Sequence, residues 1–227
     1  TTSYGTGELI KEALDRGCRK IIVGIGGSAT VDGGAGMSQA LGVRLLDKRG
    51  NEVSFGGGSL GEIVDINMEK FDARIADIEV VVASDVDNPL CGPEGAARVY
   101  GPQKGATPEM VDILNRNLAH FARMIKKFLG KGVADTPGAG AAGGLGAGLI
   151  AFLGAKIEPG IDLIIDASNL EEKLKGADLV ISGEGRIDEQ TAYGKTPMGV
   201  AERAKKENVP VILIGGETRI GSNVLYE

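Results

Sequence analysis

Near its start the chain reads Gly24-Ile25-Gly26-Gly27-Ser28-Ala29-Thr30-Val31-Asp32-Gly33-Gly34-Ala35-Gly36, directly after the apolar run Ile21-Ile22-Val23. The run is short and β-branched, which is typical of a buried strand. Glycine lacks the Cβ that would keep a ligand from the main chain, and it readily adopts positive φ, so several backbone N–H groups can converge on one anion. The stretch therefore predicts a strand that ends in a loop for a phosphate or small anionic substrate, with side-chain oxygens from Ser28, Thr30 and Asp32.

Two other interpretations of this loop are open. It could be a tight connection between a strand and a helix that binds no ligand. It could also be a dinucleotide fingerprint, because Gly24, Gly26 and Ala29 fit the pattern G-x-G-x-x-G/A and Asp47 follows roughly 20 residues later. That motif needs a helix that starts within it, however, and each later glycine of the stretch disfavours a helix by roughly 1 kcal/mol relative to alanine. We therefore favour the anion-binding loop.

The composition excludes several classes of function. The chain has 227 residues, of which 42% are hydrophobic, and a formal net charge of -6. Nucleic acids and membrane surfaces require a basic face, so neither partner is expected. The cysteines Cys18 and Cys91 lie far apart and the start shows no signal-peptide pattern, so the cytoplasm is the expected location. With His120 as the single histidine, a His/Cys metal site is excluded, and a bound metal must take oxygen ligands, as Mg²⁺ or Ca²⁺ do.

A second apolar run, at residues 78–84, is followed by the acidic segment Asp85-Val86-Asp87-Asn88-Pro89. In α/β proteins ligands bind beyond the carboxyl ends of the strands, and a carboxylate in that position commonly holds Mg²⁺. Asp85 and Asp87 lie two residues apart in an extended segment, so their side chains point the same way and favour a cation between them. The alternative is a simple Asx turn before the proline.

A single lysine, Lys104, lies in the loop Tyr100-Gly101-Pro102-Gln103-Lys104-Gly105-Ala106, just before a long predicted helix at residues 108–129. Thr107 is the predicted N-cap of this helix and Pro108 its first residue. A lysine among the backbone N–H groups of such a loop is a suitable phosphate ligand, although a surface lysine is the simpler interpretation.

The rest of the chain predicts two lobes. Residues 138–154 are rich in glycine and alanine, and we expect most of them to pack closely against another element. Residues 161–166 read as a buried strand. From residue 176 onward we predict a βαβ unit with strand 178–182, polar loop 183–191, helix 197–206 and strand 209–214. The prediction is thus an α/β fold with a mixed α/β lobe over residues 1–175 and an incomplete second lobe over residues 176–227.

Several motifs of this chain resemble those of the bacterial-type glycerate kinases, in the family's order and over nearly the whole length. These are residues 2–10 (TSYGTGELI), 24–36, 84–92 (SDVDNPLCG), 101–109 (GPQKGATPE), 137–148 and 182–188 (SGEGRID). The resemblance implies a two-lobed glycerate-kinase-like architecture in which the second lobe is flavodoxin-like. It also implies transfer of the γ-phosphate of ATP to D-glycerate with Mg²⁺, with 2-phosphoglycerate as the favoured product.

The chain departs from the family's pattern at both ends. The family's opening strand and its Pro-Asp-Ser-Phe-Lys-Gly motif are missing, and family members continue beyond residue 227. The resemblance therefore implies a middle fragment, whose own activity depends on whether the missing segments contribute to the site.

Phosphoryl transfer needs positioning, neutralisation of phosphate charge and a group that accepts the substrate's hydroxyl proton. We expect Asp85 and Asp87 to hold Mg²⁺ or orient the attacking hydroxyl group, and Lys104 to neutralise the transferring phosphate. The expected cradle for the glycerate carboxylate or the phosphate consists of Gly26, Gly27, Ser28 and Ala29, with Asp32 beside it.

From the second lobe we expect Glu184 as a further metal ligand, Arg186 as a phosphate or substrate ligand and Asp188 as a catalytic base. A homo-oligomer is possible. Two alternative functions stay open at this stage: a non-catalytic module that binds a small anion or nucleotide, and a dinucleotide-dependent oxidoreductase.

Overall fold

A computed structural model describes residues 1–187 and 196–218 of the chain. The chain forms two compact units, residues 1–157 and residues 158–227. Each unit combines helices with parallel strands, so the predicted α/β class is confirmed. The sequence places the boundary after residue 175, whereas the division by contacts falls at residue 157, because the two helices between these positions contact a later helix of the second unit.

The first unit contains five α-helices and five strands within the described residues. In chain order they are α1 (Tyr4–Asp15), β1 (Lys20–Gly24), α2 (Ala35–Ala40), β2 (Arg44–Leu46), β3 (Asp65–Asn67), β4 (Glu79–Ala83), α3 (Ala96–Tyr100), α4 (Pro108–Leu129), α5 (Ala141–Leu153) and β5 (Lys156–Glu158). Short 3-10 helices lie at Gly57–Glu62, Ala73–Asp77 and Pro102–Lys104.

The register of the central sheet brings two loops together. Strands follow the order β1-β4-β5, and β1 runs parallel to β4 with Gly24 paired to Ala83. Because both strands end at the same edge, the glycine-rich loop after Gly24 and the acidic loop after Ala83 begin side by side. The sequence-predicted strands at residues 21–25 and 78–84 are thus confirmed, and their pairing determines the position of the site. The expected burial of the first strand is wrong, because no residue of β1 is fully buried and Ile22 is 48% exposed.

Helix α4 has the predicted boundaries. The Thr107 hydroxyl accepts a hydrogen bond from the Met110 N–H group at 3.3 Å, Pro108 opens the helix, and Gly130 ends it with φ +70°. Proline at the first turn and glycine in the left-handed conformation after the last turn are favoured at these ends. One face of the helix buries Leu118, Phe121 and Ile125.

The second glycine-rich stretch packs against the first. Ala142, Gly143 and Gly144 interrupt the start of α5 with positive φ values. An added Cβ at Gly143 would overlap the carbonyl oxygen of Thr30, and one at Gly148 would lie 2.8 Å from the Cα of Gly34. The predicted close packing of residues 138–154 is therefore confirmed, and it explains why these positions have no side chains.

In the second unit the described elements are α6 (Gly160–Ala167), α7 (Leu170–Leu174), β6 (Val180–Ile187), α8 (Thr196–Lys206) and β7 (Val211–Thr218). Strands β6 and β7 are parallel, as predicted. The strand prediction for residues 161–166 is wrong, because this short apolar run forms α6, which follows Pro159 and places Asp162 in its first turn. Residues 183–187 were expected in a polar loop but extend β6. Within the described ranges, no helix is both long and apolar enough to span a bilayer.

Candidate active site

A cavity of about 360 Å³ lies at the carboxyl ends of β1 and β4, within the first unit. Its walls come from four segments that are distant in sequence: the glycine-rich loop, the acidic loop, the segment from α3 to Lys104, and the start of α5. The side chains and backbone that matter for its chemistry belong to Gly26, Gly27, Ser28, Asp85, Tyr100, Gln103 and Lys104. The cavity therefore combines the three motifs that the sequence singled out in the first lobe.

The glycine-rich loop presents bare main chain to this cavity. Gly27 has φ +62°, and an added Cβ at Gly26 or Gly27 would meet open space in the described part of the chain. A side chain at either position would thus occupy room that is available to a ligand. The loop has the accessible backbone that an anion requires.

Lys104 reaches this loop from the 3-10 helix at Pro102–Lys104. Its ammonium group donates hydrogen bonds of 2.7 Å to the Ser28 hydroxyl and 2.7 Å to the Thr30 carbonyl oxygen. Burial lowers the pKa of Lys104, and the negative charge of Asp32 partly opposes that shift. The lysine is thus fixed at the cavity wall beside the exposed backbone of Gly26 and Gly27.

Asp85 and Asp87 occupy different positions relative to the cavity. Asp85 is exposed and lines it, whereas Asp87 is exposed in the same loop but is not among the lining residues. The loop is anchored at Asn88, whose carbonyl oxygen accepts a 2.8 Å hydrogen bond from the Gly140 N–H group and whose side-chain oxygen accepts one from the Tyr100 hydroxyl. The anchor connects the acidic loop with two other walls of the cavity.

Asp32 lies behind the loop and not in the cavity. It is fully buried, and its Oδ2 accepts hydrogen bonds from the N–H group and the hydroxyl of Ser3 at 2.7 and 2.9 Å. Its Oδ1 accepts one from the Gly34 N–H group at 3.1 Å. These contacts connect α1 to the glycine-rich loop, so the geometry assigns Asp32 a structural role in place of the expected ligand role.

The other predicted site residues belong to other parts of the chain. Ala29 lines a neighbouring cavity. Glu184 and Arg186 belong to β6 of the second unit, where Arg186 forms a 3.0 Å ion pair with Glu217 across the parallel strands. Asp188 lies outside the described residues.

Tyr100 and Gln103 line the cavity and are not among the predicted site residues. They belong to the same glycine- and proline-bounded loop as Lys104, so the loop itself was a signal, but of its side chains only that of Lys104 is charged. Burial raises the pKa of Tyr100, which keeps its hydroxyl protonated as a donor to Asn88.

The geometry contradicts the dinucleotide fingerprint. Helix α2 begins only at Ala35, well beyond the G-x-G-x-x-A segment. Asp47, the expected ribose ligand, accepts hydrogen bonds of 2.8 and 2.9 Å from the N–H groups of Arg49 and Asn51 in its own turn. These backbone donors lower the pKa of Asp47, so its carboxylate already has a local function.

The cavity suits Mg²⁺ better than a metal that needs a protein cage. Within residues 1–187 and 196–218 no group of three or more His, Cys, Asp or Glu side chains could hold a metal ion. Mg²⁺ is usually bound by one or two carboxylates together with substrate phosphates and water, and Asp85 is the carboxylate that lines the cavity within the described residues.

Comparison with known proteins identifies close relatives. The family model described as the glycerate kinase family matches residues 1–227. Curated relatives include a glycerate kinase of Halalkalibacterium halodurans, 58% identical, and a glycerate 2-kinase of Escherichia coli K12, 55% identical, each over the full 227 residues of this chain. A crystal structure of glycerate kinase 2 from Salmonella typhimurium LT2 is 54% identical, covers 98% of the chain and superposes with a TM-score of 0.91.

These relatives are longer than this chain. The matched region makes up 60% of the Halalkalibacterium and Escherichia proteins and 59% of the Salmonella chain. The present chain therefore spans about three fifths of the length of the curated relatives it matches.

Proposed function

The chain belongs to the glycerate kinase family, and from that premise we propose that it supplies the substrate-binding core of an enzyme that transfers the γ-phosphate of ATP to D-glycerate. The observation that carries this proposal is the convergence of Lys104, Asp85 and the bare backbone of Gly26 and Gly27 on one cavity. A cation, a carboxylate and free N–H groups are the three groups that phosphoryl transfer to a hydroxyl requires.

The roles follow from the positions of these groups. The N–H groups of the glycine-rich loop bind the carboxylate of glycerate or a phosphate oxygen. Lys104 stabilises the charge of the transferring phosphoryl group, because its ammonium group already lies against Ser28 of the same loop. Asp85 orients the attacking hydroxyl group or accepts its proton. Asp87 and Asp85 would hold Mg²⁺, which neutralises phosphate charge when bound.

We extend the proposal to the second unit and to the cellular setting. Glu184 as a metal ligand, Arg186 as a phosphate ligand and Asp188 as a base stay proposals. Arg186 must then exchange its ion pair with Glu217 for a ligand. Because the Escherichia coli relative is named a glycerate 2-kinase, we propose 2-phosphoglycerate as the product. We further propose that the reaction takes place in the cytoplasm and that the enzyme is a homo-oligomer.

The test is a coupled assay of ADP release with ATP, Mg²⁺ and D-glycerate. It should be run on the 227-residue chain and on a completed chain, which we define as this sequence extended by the flanking segments that its relatives carry. We expect turnover in the completed chain. No turnover in a folded completed chain would favour the alternative of a non-catalytic module that binds a small anion or nucleotide.

Asp85 provides the sharper test of the site. In the completed chain, Asp85→Asn should lower turnover at least ~100-fold, since the amide neither accepts a proton nor holds Mg²⁺. The melting temperature should shift by less than about 2 °C, because the residue is exposed. Near-normal turnover would remove Asp85 from the mechanism.

A further inference from the structure

A second cavity, of about 460 Å³, adjoins the candidate active site within the first unit. Lys104 lines both cavities, and the neighbouring residues Ser28 and Ala29 line different ones. The segment from Ser28 to Thr30 and the loop around Lys104 therefore separate the two. Apart from Ala29 and Lys104, neither the sequence motifs nor the proposed roles assign a function to the residues that line this second cavity.

The walls of the second cavity are apolar and unusually exposed. Phe55 is 57% exposed, Met110 53% and Ile113 43%, and all three line it. The Phe55 ring contacts the Tyr4 ring, with 5.0 Å between the ring centroids, and still leaves more than half of its surface exposed. Clustered apolar side chains that stay exposed around a concavity mark a binding site.

The floor of this cavity is glycine backbone. Three glycines, Gly56, Gly57 and Gly58, follow one another here, and a 3-10 helix begins at Gly57. The Asn117 amide donates hydrogen bonds of 2.8 and 2.7 Å to the carbonyl oxygens of Gly57 and Gly58 and fixes them. An added Cβ at Gly57 would overlap the carbonyl oxygen of Val31, whereas one at Gly58 would meet open space within the described part of the chain. The floor is therefore fixed by packing at Gly57 and bare at Gly58, which suits a flat ligand.

We propose that this second cavity binds the adenine base of ATP and directs the phosphates towards Lys104. Adenine is flat and presents two apolar ring faces to such walls, while the triphosphate carries the negative charge that the ammonium group complements. Glycerate is too small and too polar for such walls and matches the first cavity. The inference rests on the proposed kinase function and adds to it the location of the nucleoside.

The experiment compares ATP with inorganic tripolyphosphate, which carries the charge without the base. Their dissociation constants are measured by calorimetry on the completed chain and on the double variant Met110→Asn/Ile113→Asn. Both substitutions introduce an uncharged side chain, so they make the apolar wall polar but do not change the electrostatic attraction of the site for phosphate. We expect ATP binding at least ~10-fold weaker and tripolyphosphate binding within about 2-fold of the unsubstituted protein.

The matched control is Leu9→Asn, an apolar residue of α1 that is 73% exposed and lies outside the cavity lining. It places one asparagine at an exposed helix position, as each of the two tested substitutions does, and should leave both dissociation constants unchanged. Cross-linking by 8-azido-ATP gives a second readout that is independent of the variants. We expect labelled peptides that contain residues 55–58 or 110–114.

The outcomes separate this inference from the kinase proposal. Weaker ATP binding in the double variant supports the nucleoside site even if the completed chain phosphorylates no D-glycerate. Unchanged ATP affinity in a folded double variant, or no ATP binding by the completed chain, overturns the nucleoside site. If the ATP affinity is unchanged but the completed chain phosphorylates D-glycerate, the nucleoside site is overturned and the kinase proposal stands.

Discussion

Two aspartates of the first unit show how residue environment decides role. Asp32 is fully buried and accepts hydrogen bonds from Ser3 and Gly34, so its charge is used within the fold. Asp85 is exposed at the cavity. Both lie in motifs that the sequence marks as functional, and they differ in burial and in the hydrogen bonds that Asp32 accepts from the distant Ser3. A long-range contact of this kind leaves no signal in local sequence, so the sequence alone predicts a ligand role for Asp32.

Lys104 is the residue on which the proposed chemistry depends most. Lys104→Met should lower the kcat/KM of the completed chain by ~10²–10³-fold, because removal of a preorganised positive charge costs that much in comparable sites. The assay is the coupled ADP release. The sequence predicts a role for Lys104 because its loop is bounded by glycine and proline, but it does not predict the contact of Lys104 with Ser28.

A matched control separates catalysis from stability. The Lys131 ammonium group donates a 2.7 Å hydrogen bond to the Ala151 carbonyl oxygen, the same kind of bond that Lys104 makes with Thr30. Lys131→Met should change the melting temperature by a similar amount but leave kcat/KM unchanged. Equal losses of activity in the two variants would mean that Lys104 acts only through folding.

At the scale of elements, the site depends on close approach of backbone to backbone. The start of α5 approaches the glycine-rich loop so closely that the Gly33 N–H group donates a 3.0 Å hydrogen bond to the Gly143 carbonyl oxygen. This packing supports the cavity wall on which Lys104 and Ser28 meet. Two glycine-rich stretches that appear independent in the sequence thus form one structural feature.

Gly143→Ala tests this contact. Its φ is +70°, and the new Cβ would overlap the Thr30 carbonyl oxygen, so both strain and steric overlap oppose folding. The control is Gly130→Ala, which has the same φ of +70° but would place its Cβ in open space within the described part of the chain.

We expect Gly130→Ala to lower the free energy of unfolding by about 1–2 kcal/mol, the cost of the left-handed conformation alone. Gly143→Ala should cost at least ~2 kcal/mol more, since the backbone must shift. Chemical denaturation of both variants measures the difference. Equal costs would show that the loop and α5 are not in the tight contact described.

Element prediction succeeded where periodicity and end signals agreed and failed where they did not. Helix α4 has a long apolar stripe, a threonine cap and a terminal glycine, so its bounds were predicted. Residues 161–166 offer only a short apolar run, which suits a strand and a helix equally, and the contact with α8 decides for the helix. Pairing with β7 likewise extends β6 to Ile187 through glycines that read as a loop.

At the scale of the whole molecule, the two units differ in how much apolar surface they bury. The first unit has a large core that includes the fully buried side chains of Phe121, Met37 and Leu45. Within its described residues, the second unit has a small core around Leu174, Ala204 and Val209 and leaves Ile181 and Ile214 exposed. The sequence predicted two lobes but could not predict this inequality, because burial depends on which faces find partners.

The inequality predicts that a chain of residues 1–158 folds alone, whereas residues 158–227 do not. A unit whose described residues form so small a core cannot offset its conformational entropy. Circular dichroism should therefore show a cooperative thermal transition for residues 1–158 and none for residues 158–227. Phe121→Ala in the shorter chain is the control for a specific core, and it should lower the free energy of unfolding by about 3–5 kcal/mol. A non-cooperative transition, or one that Phe121→Ala does not shift, would show that the first unit needs the rest of the protein to fold.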